Sequence, residues 1–395
     1  MGHGQINIWG LAAIGIAVGF IIAFPSTIRD IENIYRSYFQ DQTILHTIEM
    51  KEDFKTKKQP FVEVYGIDTT LYTPEEGDAY VEVRMKNDGK DLAVVKQSSE
   101  VEVLSSTYDK VAESSRFEFL SELDKNTTTR PKLISAKLER SEVPVELKKN
   151  YILLFYITWH NEEGREFTNV ESLYAFPKYL PEEPVAMYEF DYGSGQVAYD
   201  STDNENDGTL GTTSSTENSD PEWVKGYDGY ALNFTGSESD IVEVPSSESL
   251  NITGAMAIEM WVNPPTNLTT EANAWYGGVE KSGAYSLGWQ GWTDGWTFNV
   301  YSGGARNFVD STNYYVYQDR WYHVVGIYDG QYLKVYVNGT LAASKNVGAL
   351  IIDTNSNPFV IGRIYGTYWN GKIDKVRIYN RSLTQTEIEN LFKYG

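Results

Sequence analysis

Apolar residues follow two regimes along this chain. From Ile6 to Phe24 they run almost unbroken as INIWGLAAIGIAVGFIIAF, with no charged residue and Asn7 as the strongly polar position. As a helix rising 1.5 Å per residue, this run reaches about 28 Å, close to the hydrocarbon thickness of a bilayer. It lacks the polar stripe that a core helix of a soluble domain would carry. Residues 26–49 keep apolar side chains at helical spacing (Ile28, Ile31, Tyr35, Tyr38), and Pro25-Ser26 marks either a kink or the cap of a second helix. Residues 1–45 are therefore expected to form a long hydrophobic helix, either a membrane anchor or the core of a filament. Met1 to Gln5 lack Lys and Arg, and Phe24-Pro25 is a poor signal-cleavage site, so a retained span is expected. Gly15 and Gly19 form a G-x-x-x-G pair suited to close helix packing.

Beyond the helix the period drops to two. In 79–95, Val81, Val83 and Met85 fall on one side of a strand and Glu82, Arg84 and Lys86 on the other, before a turn at Asn87-Asp88-Gly89. The segment 151–174 opens with an almost wholly apolar strand and turns at Glu162 to Gly164. This pattern predicts an immunoglobulin-like β-sandwich of two antiparallel sheets over 46–178. KYLPEEP (178–184) has the proline and charge of a linker, placed at 179–184. In 185–395 strand signals are denser still. Val324, Ile327, Leu333, Val335 and Val337 lie in two β-rich runs around Asp329-Gly330, the strongest short-range hairpin signal. The fold class is mainly β.

Composition narrows the function. With 395 residues the chain has room for two or three domains, and with no cysteine it has neither disulfides nor thiol chemistry. A net charge of −22 argues against nucleic acid, whose phosphates require a basic footprint. His3, His46, His160 and His323 are scattered without metal-ligand spacing, and no serine-elbow or phosphate-loop motif occurs.

The C-terminal motifs carry a resemblance. Trp321, His323, Val324, Val325, Tyr328, Asp329 and Gly330 are followed by 336–339 (YVNG) and 371–381 (GKIDKVRIYNR). Upstream, 188–210, 229–247 and 258–264 keep the same order. Together they resemble the laminin-G-like, concanavalin A-type jelly roll over about 185–395. That resemblance implies a binding fold, often directed at glycans or matrix proteins. It also implies a structural calcium ion, with Asp191 and Asp374 as the positions to watch. The N-terminal segment, with Gly4-Gln5 as a candidate leader bond, resembles archaeal type IV pilin-like proteins. The middle domain resembles membrane-anchored β-sandwich proteins of archaeal surface appendages.

Candidate binding residues cluster in GWQGWTDGWTFNVY. Trp289, Trp292 and Trp296 surround a turn at Asp294-Gly295, offering flat platforms for the C–H faces of a sugar beside polar Asp294, Gln290 or Asn299. Tyr365, Tyr368 and Trp369 form a second aromatic set. N-x-S/T sequons at Asn126, Asn233, Asn251, Asn267, Asn338 and Asn380 suit an exported glycoprotein. Glu238, Asp240 and Glu243 approximate the E-x-D-x-x-E strand of laminarinase-type hydrolases. Ser239 replaces its apolar residue, and Glu238 and Glu243 fall on opposite faces of an unbulged strand, so a non-enzyme is expected. The combined expectation is a cell-surface adhesin or glycan-binding protein on a membrane-anchored stalk. The alternative is a self-assembling, pilin-like filament subunit carrying the jelly roll outward.

Overall fold

A computed structural model of the chain describes the strands between residues 62 and 175, most of their connections excepted. It also describes residues 178–395 apart from 182–183, 218–219, 239, 266–274, 291–294 and 313–315. The helix expected over 1–45, with Gly15 and Gly19, lies outside the described residues. Among the described residues, no helix is long and apolar enough to cross a membrane.

The chain divides into two units, Met1–Tyr179 and Leu180–Gly395. The hub of the first is Tyr151–His160, which pairs antiparallel with Glu166–Ala175 along its whole length. Its other edge pairs with Glu100–Ser105 and then, at Trp159 and His160, with Ala93–Val95. Leu153, Phe155, Ile157 and Trp159 are fully buried at period two, the signature of a strand with one face in a core. Because this strand is long enough to serve two partners in succession on one edge, the sheet is a single connected network of ten strands, with Val62–Val64 and Met85–Asn87 as a separate pair. The two separate sheets expected over 46–178 are thus joined. Lys178 and Tyr179 pair in parallel with Tyr72 and Thr73, and Leu180, Pro181 and Pro184 are buried. The stretch read as a linker is structured at both ends.

The second unit is a two-layer sandwich. One sheet runs, in spatial order, Glu222–Lys225, Tyr230–Thr235, Asn370–Tyr379, Met256–Asn263, Tyr322–Tyr328, Tyr332–Val337 and Thr340–Asn346, with Ala186–Tyr188 also on Asn370–Tyr379. The other runs Val197–Ala198, Gly208–Leu210, Val242–Val244, Phe359–Ile361, Trp275–Lys281, Tyr285–Gln290, Gly295–Ser302 and Ala305–Asp310. Alternate residues from both layers, among them Ile258, Met260, Leu287, Phe298, Val324 and Ile361, form one continuous core. A C-terminal helix, Gln385–Tyr394, begins with a capping box: Thr384 accepts from the Glu387 amide while Glu387 accepts from the Thr384 amide. Its Phe392 ring stacks against Trp261 and His323 on the outward face of the first sheet.

One irregularity sets the chemistry of that face. Glu259 pairs with Arg377 and Trp261 with Asp374, so the last strand carries one residue more than its neighbour between these points. Lys375 sits there at φ 46°. The bulge keeps Ile373, Val376 and Ile378 in the core, while Asp374, Lys375 and Arg377 lie outside that cluster, fully buried.

Candidate functional site

Trp289, Trp296 and Trp369, expected to meet a ligand, serve the core instead. Trp289 and Trp296 face each other directly across two strands, edge to face at 5.3 Å, and both are fully buried. Trp369 lies 6.1 Å from Trp296 and is likewise fully buried. The cause is parity: Trp289, Trp296, Phe298 and Val300 occupy inward positions, where large aromatic area is most favourably placed. Trp292 and Asp294 lie outside the described residues. Tyr368 is half-buried and pairs with Arg363.

The same parity turns Gln290, Thr297, Asn299 and Tyr301 to the outward face, where a polar site is assembled. Across neighbouring strands one row reads Glu280, Ser286, Asn299, Phe308, and the next places Thr297 opposite Asp310. Glu280 is held from two sides: Arg363 Nε donates to Oε1 at 2.9 Å and the Tyr365 amide to Oε2 at 3.0 Å. Asn299 Nδ2 donates to the Ser286 hydroxyl at 3.0 Å, and Ser286 donates to the Tyr365 hydroxyl at 3.3 Å. Arg306 Nε donates to Asn299 Oδ1 at 2.6 Å, and its guanidinium lies 4.4 Å from the Phe308 ring centre and 5.2 Å from that of Tyr365. Burial pushes the Tyr365 hydroxyl well above its ordinary pKa, so it is protonated at neutral pH. Although they face outward, Glu280, Ser286, Gln290, Thr297 and Asn299 are nearly or fully buried. Gln290 Oε1, Thr297 Oγ1 and Asp310 Oδ1 are buried without a hydrogen-bond partner.

On the other sheet the outward polar groups are densely paired. Arg377 donates to Glu189 at 2.8 and 2.9 Å and lies 3.5 Å from Glu259, which also meets His323 at 3.1 Å and the Tyr379 hydroxyl at 3.3 Å. Lys375 is 3.6 Å from Glu189 and 3.9 Å from Asp228. Burial alone would raise the Glu259 pKa, but the Arg377 guanidinium and the His323 hydrogen bond hold it below the usual carboxylate range.

Asp191 and Asp374 meet at one loop. Asp374 accepts from the Tyr227 amide at 2.9 Å and Asp191 from the Tyr230 amide at 3.0 Å. Gly226 and Gly229 are required there, since a Cβ at either would strike one of these carboxylates. The pinned loop lays Tyr227 over Trp261 at 3.7 Å. Burial, with Asp191 and Glu189 nearby, pushes Asp374 well above the usual carboxylate range against the opposing charge of Lys375. Its Oδ1 is buried without a hydrogen-bond partner. An oxygen-ligand cation fits that orphaned oxygen and the repulsion beside it. Among the described residues no three acidic or histidine side chains gather as a metal cluster, so carbonyls or water would have to complete its shell.

Of the sequons, Asn380 is exposed, whereas Asn233, Asn251 and Asn338 are half-buried and Asn126 and Asn267 lie outside the described residues. Asn338, at φ 50°, uses its side chain to accept the His323 amide. Asp240 is buried and accepts from the amide and hydroxyl of Thr235, while Glu238 and Glu243 are exposed.

The sequence matches the Laminin_G_3 profile, described as the concanavalin A-like lectin/glucanases superfamily, over residues 235–389. Residues 235–389 are a laminin-G-like jelly roll. No curated protein matches the chain. Among solved structures it is similar to the binding domain of Paraclostridial Mosquitocidal Protein 1, with 17% identity and a TM-score of 0.43, covering 53% of this chain and 51% of that one. It is similar to Domain 4 of AbnA, a GH43 extracellular arabinanase from Geobacillus stearothermophilus in complex with arabinotriose, with 22% identity and a TM-score of 0.42, covering 53% and 98%. The Botulinum Neurotoxin serotype G binding domain gives 14% identity and a TM-score of 0.40, covering 53% and 51%. The match thus spans about half the length of the mosquitocidal and neurotoxin chains.

Proposed function

We propose that the chain is a cell-surface, lectin-like binding protein whose jelly roll takes a glycan on the polar face of its second sheet. The N-terminal hydrophobic segment would anchor it in a membrane. The observation carrying this reading is the set of orphaned atoms at Gln290, Thr297 and Asp310, next to the ordered Asn299–Ser286–Tyr365 hydrogen bonds. A buried polar atom without a partner costs about 1–3 kcal/mol, which a ligand presenting hydroxyls would recover. Phe308 and Tyr365 supply apolar surface of the kind that packs on sugar rings.

Both oxygens of Glu280 are committed to hydrogen bonds, which favours a positioning role over proton transfer, so the reading is recognition without hydrolysis. A glycan array with the intact protein, followed by calorimetry on the best ligand, is the test. Thr297→Val is expected to weaken that ligand about tenfold, the equivalent of one lost hydrogen bond. Undiminished affinity would remove the site from this face, and turnover of the bound glycan would replace binding with catalysis.

Calcium at Asp191 and Asp374 belongs to the same proposal. Bound there, it would supply positive charge to the repelling carboxylates and stiffen the loop that carries Tyr227 and Tyr230. Calcium is expected to raise the melting temperature of the native protein but not of Asp374→Asn; a wild-type melting temperature indifferent to calcium and chelator would exclude the ion.

A pilin-like assembly is favoured by the continuous apolar run of 6–24 and its amphipathic continuation to residue 49. Mass spectrometry of the N-terminus distinguishes the two: a start at Gln5 in sheared filaments means a subunit, and an intact Met1 in membranes means a tethered adhesin.

A further inference from the structure

The turn between Glu222–Lys225 and Tyr230–Thr235 is specified more tightly than a chain reversal requires. The Gly226 amide donates to the Gly229 carbonyl at 3.0 Å, which leaves Tyr227 and Asp228 as the two residues of the tip. Both flanking glycines are dictated by carboxylates. A Cβ at Gly226 would strike Asp374, and one at Gly229, where φ is 65°, would strike Asp191. Asp374 is fully buried, at a desolvation cost, to accept the Tyr227 amide. A two-residue hairpin needs suitable backbone angles but no buried carboxylate.

What the arrangement delivers is two aromatic rings at the surface. Tyr227 and Tyr230 are each 42% exposed, two of six such large apolar side chains among the described residues, and both stand on this one turn. The Tyr227 ring lies flat on buried Trp261, at 3.7 Å and 20°, with the Trp321 ring edge-on at 6.1 Å. Tyr230 lies against the backbone of Gly193, where a Cβ would come within 2.8 Å of its ring. Each ring is thus supported by its neighbours and still open to solvent. Packing holds their rotamers before any ligand arrives, so binding costs little ordering.

Size and charge limit the occupant. At about 200 Å² for an aromatic side chain, the two rings present about 170 Å². Each partner in a stable protein complex buries roughly 800 Å², far more than this patch offers. The carboxylate at the tip, Asp228, has the Lys375 ammonium 3.9 Å away, so a ligand cation would compete with one already in place. What remains is a small, neutral, flat apolar face with hydroxyls at its rim. A pyranose ring with equatorial substituents has that shape, since its C–H bonds point to the two faces.

We infer that this turn forms a second carbohydrate site, separate from the second sheet's face and not resting on it, which stacks equatorially substituted pyranose rings of an oligosaccharide on Tyr227 and Tyr230.

Cellohexaose, whose rings carry only equatorial substituents, is titrated calorimetrically into the full-length protein, Tyr227→Leu, Tyr227→Phe and Thr297→Val. Tetramethylammonium is the competing chemistry. Leucine still covers Trp261 but presents no flat face, whereas phenylalanine keeps the face and loses the hydroxyl. Tyr227→Leu is expected to weaken cellohexaose about tenfold with a melting temperature near that of the wild type, and Tyr227→Phe to bind within about twofold of it. Equal losses in the two variants would overturn stacking. A lower melting temperature in Tyr227→Leu with cellohexaose affinity kept would make the ring a cover for Trp261 and overturn the site. Absence of cellohexaose binding overturns the inference, as does tetramethylammonium binding in its place that Tyr227→Leu abolishes. Affinity lost with Thr297→Val and kept with Tyr227→Leu puts the sugar on the second sheet's face, overturning this inference and leaving that reading standing.

Discussion

The two outward faces of the jelly roll bury polar side chains to a similar depth but hold them by different means. On the first sheet Glu189, Glu259, His323, Arg377 and Tyr379 are locked into mutual contacts, with Phe392 of the C-terminal helix packed on the His323 ring. On the second, the Asn299–Ser286–Tyr365 bonds end beside three atoms without partners. Burial alone therefore says little about function. Orphaned atoms occur on both faces, His323 Nδ1 and Asp374 Oδ1 on the first and Gln290 Oε1, Thr297 Oγ1 and Asp310 Oδ1 on the second, so the difference lies in what holds the rest: buried ion pairs brace the first face, and mainly neutral hydrogen bonds order the second.

The largest way to break this contrast is on the ion-paired face. Arg377→Ala would leave Glu189 and Glu259 buried without their shared cation, and a loss of about 3–5 kcal/mol in unfolding free energy is expected by denaturant titration. A change below 1 kcal/mol would mean that the network is not the brace described here. Removing the core partner Trp296 by substitution with Ala should cost a similar amount, about 3–5 kcal/mol. A mild effect there, with lost glycan binding, would return the tryptophan to the ligand.

A smaller effect should appear in the pH dependence. Glu259 has a folded pKa below its unfolded value, so its contribution is present above the unfolded carboxylate range and fades as pH falls toward the lower, folded value. Glu259→Gln should therefore flatten the acid limb of a stability profile, and an unaltered limb would assign acid unfolding to other groups. The smallest stability change belongs to the second sheet's face. Thr297→Val removes an orphaned hydroxyl while keeping its shape, so unfolding free energy should stay level or rise by about 1 kcal/mol even as binding falls. A clear loss of stability would show that the hydroxyl serves the fold.

The same contrast marks what could be read from the chain. Hairpins at Asp329-Gly330 and the alternation of the last strands were legible because turn chemistry and period two are local signals. Gln290 and Asn299 were in view as polar neighbours of the tryptophans, and both lie on the polar face. Trp289, Trp296 and Trp369 were misplaced: alternation shows that Trp289 and Gln290 point opposite ways but not which faces the core, and one step of parity exchanges the sets. Arg306, Phe308, Asp310, Glu280 and Arg363 escaped notice because strands distant in sequence bring them together. Thr297, Asn299 and Tyr301, polar between Trp296, Phe298 and Val300, were the available hint. In the first unit, the length of Tyr151–His160 was visible, but its ability to join two sets of partners was not.

The bulge at Lys375 has a consequence for how relatives of this chain can vary in length. Without Lys375 the strand would read Ile, Asp, Val, Arg, Ile, Tyr, a regular alternation with every remaining side chain still on its present face. The lysine is thus a one-residue insertion that contributes a cation beside Glu189 and Asp228 without shifting the strand's phase. Sequences aligned by alternation should open a single-position gap here, and chains lacking the residue should compensate in the acidity of the two positions it serves.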